Sequence, residues 1–259
     1  MQKKIDLVNG PVLSSLTRLA VPIMATSLIQ MAYNMTDMIW IGRIGSSAVA
    51  SVGAAGMYMW LSNGLAALAK MGGQVNVGHA LGASNSEEAA EYASNALQLT
   101  LILGIIYGLV CILGAKPLIH FFHLNQAQMI RDAIYYLEIT CGLVLFSFLN
   151  QTYTGLFTAI GNSRPVFLAT TTGLVVNIIL DPVLIFGIGP FPELGVSGAA
   201  AATVTAQALV SLLFFKAVLR EKVLFPHLRL WVLVPVKVWR EIVRIGVPSA
   251  VQNLIYAGI

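Results

Sequence analysis

Charged residues are scarce in this chain of 259 residues. Asp, Glu, Lys and Arg make up 10% of it and hydrophobic residues 57%, whereas roughly a quarter of a soluble domain is charged. This scarcity excludes an ordinary soluble domain. Apolar runs of membrane length recur along the whole chain, which predicts an integral membrane protein. Barrel strands would be about half as long and would alternate polar with apolar residues, so we expect helices.

Cysteines and catalytic motifs are also few. Cys111 and Cys141 both lie in apolar segments without metal-ligand spacing, which favours packing roles. The sequence contains no nucleophile–base constellation, no His-x-x-x-His pair and no Gly-x-Ser-x-Gly motif. We therefore expect neither an enzyme nor a bound cofactor. The net charge of +4 does not indicate nucleic-acid binding, because the basic residues sit in loops beside the apolar runs, where they set orientation.

The apolar runs predict six complete membrane spans and the start of a seventh. The predicted spans are 14–41, 48–69, 94–115, 134–158, 166–188 and 196–219, followed by 242 to the end. All Lys and Arg residues except Arg43, Lys116 and Arg131 then fall on the side that carries the N-terminus. Because basic loops stay inside, we expect a cytoplasmic N-terminus.

A short motif occurs twice and suggests an internal repeat. Residues 18–22 read RLAVP and residues 244–248 read RIGVP, and both open a predicted span at the same side. A parallel repeat of six spans is a known transporter construction. We therefore expect 1–219 to form an amino-terminal six-helix lobe, 220–241 a basic cytoplasmic linker, and 242–259 the truncated first helix of a second lobe. The linker also fits an amphipathic segment on the cytoplasmic leaflet.

One aspartate stands alone in a long apolar stretch. Asp181 is the only charged residue between Pro165 and Pro190. Asn177 lies four positions earlier on the same helical face, and Pro182 frees a backbone carbonyl one turn earlier. A charge at this depth costs several kcal/mol unless something compensates it. A carboxylate, an amide and a free backbone carbonyl therefore predict a binding site for a proton or a cation.

Two further polar residues fall at the same predicted depth. At 1.5 Å per residue, Asp37 lies about 8 Å, Asp181 about 10 Å and Thr203 about 11 Å from the outer ends of their spans. Two neighbouring carboxylates in a low dielectric cannot both stay charged cheaply, so the pair can take up a proton. Na⁺ would compensate the same charge, and the residues alone leave both ions open. A lone intramembrane Asn or Thr more often makes a helix–helix hydrogen bond.

Several segments resemble a known family. The stretch LTRLAVPIMATSLIQMAYNMTDMIWIGRIGSSAVASVG, and the motifs GGQVNVGHALGASN, GLFTAIGNSRP, NIILDPVLIFG and GVSGAAAATVTAQ, are similar to the multidrug and toxic compound extrusion (MATE) family. The resemblance covers nearly the whole chain. It implies an all-α integral membrane protein with twelve spans in two six-helix lobes, of which this chain would be the first. It also implies export of drugs or metabolites against inward H⁺ or Na⁺.

The resemblance assigns roles to particular positions. The implied cation or proton site of prokaryotic members, with Na⁺ as a possible ligand, comprises Asp37, Asn177, Asp181 and Thr203. The implied polar positions around the cavity of the same lobe are Gln30, Tyr33, Asn34 and Gln207. The implied setting is the inner membrane of a prokaryote, with multiple passes through the bilayer. The implied partners are an organic cation or amphipathic substrate and the carboxy-terminal lobe of the same protein.

Three interpretations of function remain at this point. The first is a cation-coupled antiporter, which a single lobe could not operate alone because alternating access needs two. The second is a flippase-type exporter of lipid-linked oligosaccharide, which would favour several intramembrane Arg or Lys residues. No Lys or Arg lies deep in a predicted span, which argues against it. The third is a non-transporting membrane scaffold, which leaves the two buried aspartates unexplained.

Overall fold

The structure is a computed structural model that describes residues 12–221, Leu224 and residues 236–257. These residues form helices and no strand, which confirms the all-α prediction. The helices are α1 (Val12–Ile44), α2 (Ser46–Gly82), α3 (Ser86–His120), α4 (Ala127–Thr140), α5 (Leu145–Ala159), α6 (Arg164–Phe186), α7 (Val196–Arg220) and α8 (Val236–Ala257). Most of the predicted linker, residues 222–223 and 225–235, lies outside the described residues.

The helix bundle has two ends, each of which we name after a residue in one of its loops. The Gly45 end holds the α1–α2 and α6–α7 connections, and the Ala83 end holds the α2–α3 and α5–α6 connections. Among the described residues, α3, α6 and α7 are long and apolar enough to cross a membrane, and the bent pair α4–α5 makes a fourth if it is counted as one span. The predicted count of six spans plus one is not confirmed by this criterion.

Helix α2 is longer than predicted. The expected span 48–69 is part of a helix that continues to Gly82, and α3 begins at Ser86 instead of residue 94. Asn85 caps α3 by accepting a hydrogen bond from the backbone N–H of Glu88 at 3.1 Å, as expected at a helix N-terminus. Lys70, which the sequence placed just beyond a span, therefore lies well inside a continuous helix.

The predicted fourth span is two helices rather than one. Helices α4 and α5 meet at an angle of 46°, and the break contains Gly142. A Cβ atom on Gly142 would lie 2.1 Å from the carbonyl oxygen of Glu138, and one on Gly108 of α3 would lie 2.8 Å from the carbonyl oxygen of Gly142. The chain turns here because α3 packs directly on its backbone, which only residues without a side chain allow.

Large hydrophobic side chains are found both inside and outside the bundle. One buried cluster surrounds Ile41, Leu137 and Phe148, and another contains Phe157 and Phe214. Many others are exposed: Leu113, for example, has 83% of its surface accessible. Such apolar outer faces are expected where helices meet lipid, because lipid tails are as apolar as the side chains themselves.

Candidate functional site

Helices α6 and α7 pack antiparallel, with two close contacts at glycines. A Cβ atom on Gly198 of α7 would lie 2.3 Å from the carbonyl oxygen of Leu184 on α6, and one on Gly173 would lie 2.4 Å from a side-chain methyl of Val210. Asp181 lies between these contacts. Small residues at such positions let helices approach closely within a membrane. The contacts also fix the register, so the depths of polar residues on the two helices can be compared directly.

Asp181 and Asn177 form a buried pair on α6. Both side chains are fully buried, and the side-chain amide of Asn177 donates a hydrogen bond of 3.0 Å to Oδ1 of Asp181. Pro182 follows within the helix and has no N–H, so the carbonyl of Ile178 loses its usual helical donor. The i, i+4 spacing expected from the sequence therefore gives a direct contact.

Thr203 of α7 lies near the level of this pair. It is five residues from Gly198, whereas Asp181 is three residues from Leu184. Because Gly198 and Leu184 touch, the two side chains are within about 3 Å of the same level along the helix axes. Thr203 is buried, with 4% of its surface accessible. The structure therefore brings α7 to the polar level of α6.

Asp37 approaches from α1. Trp40 of α1 meets Phe186 of α6 edge to face, with ring centroids 6.2 Å apart. Asp37 precedes Trp40 by three residues, and Asp181 precedes Phe186 by five. The two carboxylates are therefore also within about 3 Å of the same level along the helix axes. Helix α1 packs on α6, so two carboxylates from different helices are brought to one level.

Four buried oxygen atoms in this region have no hydrogen-bond partner among the described residues. They are Oδ1 of Asp37, Oδ1 of Asn177, Oδ2 of Asp181 and Oγ1 of Thr203. A buried polar atom without a partner costs about 1–3 kcal/mol, and more if it is charged. A proton shared by the carboxylates, or a cation held by several of the oxygens, would remove this cost. We call these four residues the four-oxygen site.

The ligand types narrow the choice of ion. No group of three or more His, Cys, Asp or Glu residues that could hold a metal ion occurs among the described residues. Carboxylate, amide and hydroxyl oxygens are hard ligands, which suit hard cations such as Na⁺ better than transition metals. The oxygens present therefore fit either of the two ions that the sequence left open.

Trp40 is a neighbour of the site that the sequence analysis missed. Its indole Nε1 is buried without a partner among the described residues, and the guanidinium carbon of Arg43 lies 4.7 Å from the ring centroid. Trp40 follows Asp37 by three residues, which places both on one helical face. This spacing could have identified Trp40 as a neighbour of the carboxylate.

The structure describes the side chains of two of the four predicted cavity positions. Asn34 is exposed on α1. Gln207 is partly buried, and its backbone carbonyl accepts a hydrogen bond of 2.9 Å from the side-chain amide of Asn150 on α5. The side chains of Gln30 and Tyr33 lie outside the described residues. Their assignment to a substrate cavity stays a prediction.

Comparison with known families decides the identity of the fold. The MatE family model matches residues 22–183. The chain belongs to the MatE family. Its membership confirms the resemblance seen in the sequence, and the motif around Asp37 lies inside the matched region. Asn177 and Asp181 also fall within it, whereas Thr203 lies beyond it.

Curated relatives of this MatE chain are transporters. It is 30% identical over 250 residues to the probable multidrug resistance protein NorM of Thermotoga maritima, covering 93% of this chain and 52% of the relative. It is 27% identical over 263 residues to the FAD transporter of Shewanella oneidensis, covering 98% of this chain and 56% of the relative. The expectation that it is not an enzyme agrees with these relatives. The chain spans about half the length of each.

Solved structures show the same architecture. A crystal structure of a MATE transporter in complex with MaD3S has a TM-score of 0.88 and 26% identity, covering 98% of this MatE chain and 56% of the other. An outward-facing multidrug resistance MATE family transporter has a TM-score of 0.86 and 27% identity, covering 98% and 55%. The all-helical fold described above is therefore that of the corresponding half of a MATE transporter.

Proposed function

We propose that this MatE protein is a cation-coupled antiporter in which the four-oxygen site binds the coupling ion. The observation that carries the proposal is the set of four buried oxygens, from α1, α6 and α7, that lack partners among the described residues. Neither the flippase nor the scaffold interpretation accounts for them. The exported substrates would be organic cations, drugs or amphipathic metabolites, in line with relatives named as a multidrug resistance protein and an FAD transporter.

The position of Asp37 suggests how ion binding moves the protein. Asp37 belongs to α1, whereas Asn177 and Asp181 belong to α6. Without an ion the two carboxylates repel each other, which favours an arrangement with α1 further from α6. An ion between them removes the repulsion and draws α1 inward. An ion shifts a conformational equilibrium only by its difference in affinity for the two states, and this geometry supplies such a difference.

The proposal includes a membrane setting and a partner. The protein would lie in the inner membrane of a prokaryote, with the N-terminus and the Ala83 end on the cytoplasmic side and the four-oxygen site in the outer half. Alternating access works by rocking two lobes against each other. A carboxy-terminal lobe of the same protein would therefore complete the cycle. Repacking of α1 would then expel the substrate outward while the ion enters.

Transport in proteoliposomes tests this function. The protein is assayed for export of a cationic dye with a pH gradient and a sodium gradient imposed separately. The test variant is Asp181→Asn, which keeps an oxygen that can accept from Asn177 but removes the charge. The matched control is Glu193→Gln, the same change of charge at an exposed loop position. We expect one gradient to drive export, Asp181→Asn to abolish it and Glu193→Gln to retain it.

A binding measurement separates the ion site from transport. Trp60, Trp231 and Trp239 are replaced by Phe, which leaves Trp40, one turn from Asp37, as the only tryptophan of this chain. Sodium is titrated against choline at constant ionic strength, and protons are titrated separately. We expect one ion to change Trp40 fluorescence, and we expect Asp181→Asn to remove that change. Equal responses in the wild-type protein and in Asp181→Asn would show that Asp181 has only a structural role.

A further inference from the structure

A polar cavity lies between α2, α5 and α8, apart from the four-oxygen site. Its volume is about 540 Å³, and its polar lining includes Asn63 and Lys70 of α2, Gln151 of α5, and Gln252 and Asn253 of α8. None of the four residues of the four-oxygen site lines it. Lys70 is the only charged residue in the lining, so the two polar regions carry opposite charge.

Close backbone packing holds Lys70 in place. On one side, a Cβ atom on Gly155 of α5 would lie 2.9 Å from the carbonyl oxygen of Lys70 and 3.1 Å from its Cγ. On the other side, one on Gly246 of α8 would lie 2.2 Å from the carbonyl oxygen of Leu68. Two helices therefore press against α2 immediately beside Lys70, and the base of its side chain has little freedom to move.

No carboxylate of the described part of the chain lines the cavity beside the Lys70 ammonium. Lys70 is partly buried, and no carboxylate in the described ranges forms an ion pair with it. An isolated buried ammonium is costly unless a partner or water neutralises it. A lysine near a helix end can extend to the membrane surface, but α2 continues for twelve residues past Lys70, more than three helical turns. An anion in the cavity is the simplest compensation.

The neutral groups around Lys70 also suit an anion. The side-chain amide of Gln151 donates a hydrogen bond of 2.9 Å to Oδ1 of Asn63. The NH₂ group of Asn63 is thereby turned away from Gln151 and can donate to a ligand. Asn63 precedes Lys70 by seven residues, two turns along one face of α2. Trp60, 53% exposed, lies one turn further and offers a flat apolar surface.

We propose that this cavity binds an anionic group, a phosphate, sulfonate or carboxylate, at Lys70, with the attached ring or chain against Trp60. The anion belongs either to a soluble solute or to a lipid headgroup. The claim that the bound molecule is transported rests on the proposed function, and it adds an acid group to the amphipathic metabolites among the proposed substrates. The binding site itself shares no residue with the four-oxygen site.

A matched pair of probes tests the site. The protein is placed in phosphatidylcholine nanodiscs, and binding of naphthalene-2-sulfonate and of 2-naphthyltrimethylammonium is measured by calorimetry, with empty nanodiscs subtracted. The probes share a ring and differ in the sign of their charge. A charge-assisted hydrogen bond predicts a preference of about tenfold for the sulfonate. Lys70→Met should abolish this preference and Lys70→Arg should keep it, as should the control Lys116→Met at an exposed position of α3.

Two outcomes would overturn the proposal. One is equal affinity of the wild-type protein for both probes, and the other is an unchanged sulfonate preference in Lys70→Met. Adding phosphatidylglycerol to the nanodiscs distinguishes the two sources of the anion. If this lipid competes with the sulfonate probe and the competition depends on Lys70, the anion is a lipid headgroup. If it does not compete, the anion belongs to a soluble solute. Asp181→Asn should keep the sulfonate preference. If the wild-type protein keeps the sulfonate preference but shows no fluorescence response of Trp40 to either ion, the proposed antiport is refuted and the anion site is not.

Discussion

The contact between Gly198 and Leu184 leaves no room for a side chain at position 198. In Gly198→Ala, the new Cβ would lie 2.3 Å from the carbonyl oxygen of Leu184 and 2.6 Å from its carbonyl carbon. An ordinary contact begins at 3.4 Å, so α6 and α7 must separate locally by about 1 Å. The obstacle is backbone, and no rotation of a side chain can relieve it.

The free energy of unfolding should fall by about 1–3 kcal/mol, the usual cost of inserting a methyl group into a packed interior. The gain in helix propensity from Gly to Ala, about 1 kcal/mol, opposes this cost. A net loss of up to about 2 kcal/mol is therefore expected, with about 2–4 °C in Tm for each kcal/mol. The separation also moves Thr203 away from Asp181, so affinity for the coupling ion should fall as well.

The matched control is Gly53→Ala on α2, where an added Cβ meets nothing within 4 Å. This variant gains helix propensity without a clash, so its Tm should equal or exceed that of the wild-type protein. Both variants are unfolded thermally in detergent, in sodium and in choline at equal ionic strength. The reasoning is refuted if Gly198→Ala is as stable as Gly53→Ala, or if its stabilisation by the coupling ion matches that of the wild-type protein.

Two further substitutions probe single polar atoms. Thr203→Val removes a buried oxygen without a partner among the described residues, so the stability of the ion-free protein should be unchanged or higher. If the ion is Na⁺, its affinity, measured by Trp40 fluorescence, should fall about tenfold. An unchanged affinity would exclude this hydroxyl from the site. Tyr92→Phe removes the hydrogen bond that the Tyr92 hydroxyl donates to Glu241, linking α3 to α8. Unfolding should become easier by about 1–2 kcal/mol, whereas Tyr135→Phe, on an exposed side chain, should cost nothing measurable in the same thermal assay.

The parts of the site that lie on one helix could be predicted from the sequence. Asp181 stands out because a charge in an apolar run is costly, and the spacing to Asn177 places both on one face. The structure shows the resulting hydrogen bond. The level shared with Asp37 and Thr203 also follows from counting residues from the helix ends, because each helix rises by a constant amount per residue.

The parts that depend on contacts between helices could not be predicted. Gly72, which follows the predicted end of the second span at residue 69, lies inside α2, where a Cβ atom would meet the backbone of Ile242 at 2.3 Å. Gly142, by contrast, marks a break. A glycine permits a turn and a close contact equally well, and only the packing partner decides between them. The cavity around Lys70 was missed for the same reason, since α2 was expected to end before it.

A single residue joins the helices that carry the two polar regions. Asp37 lies on α1 and Lys70 on α2, and only Gly45 separates these helices. Gly45 has φ of 142° and ψ of 170°, a conformation that is essentially limited to glycine. A movement of α1 toward α6 on ion binding must therefore be absorbed at Gly45 or transmitted to α2. To the extent that it is transmitted, the ion changes the affinity of the Lys70 cavity for its anion, and the anion changes the affinity for the ion by the same factor. An antiporter requires this coupling to be negative, so that each ligand weakens the binding of the other.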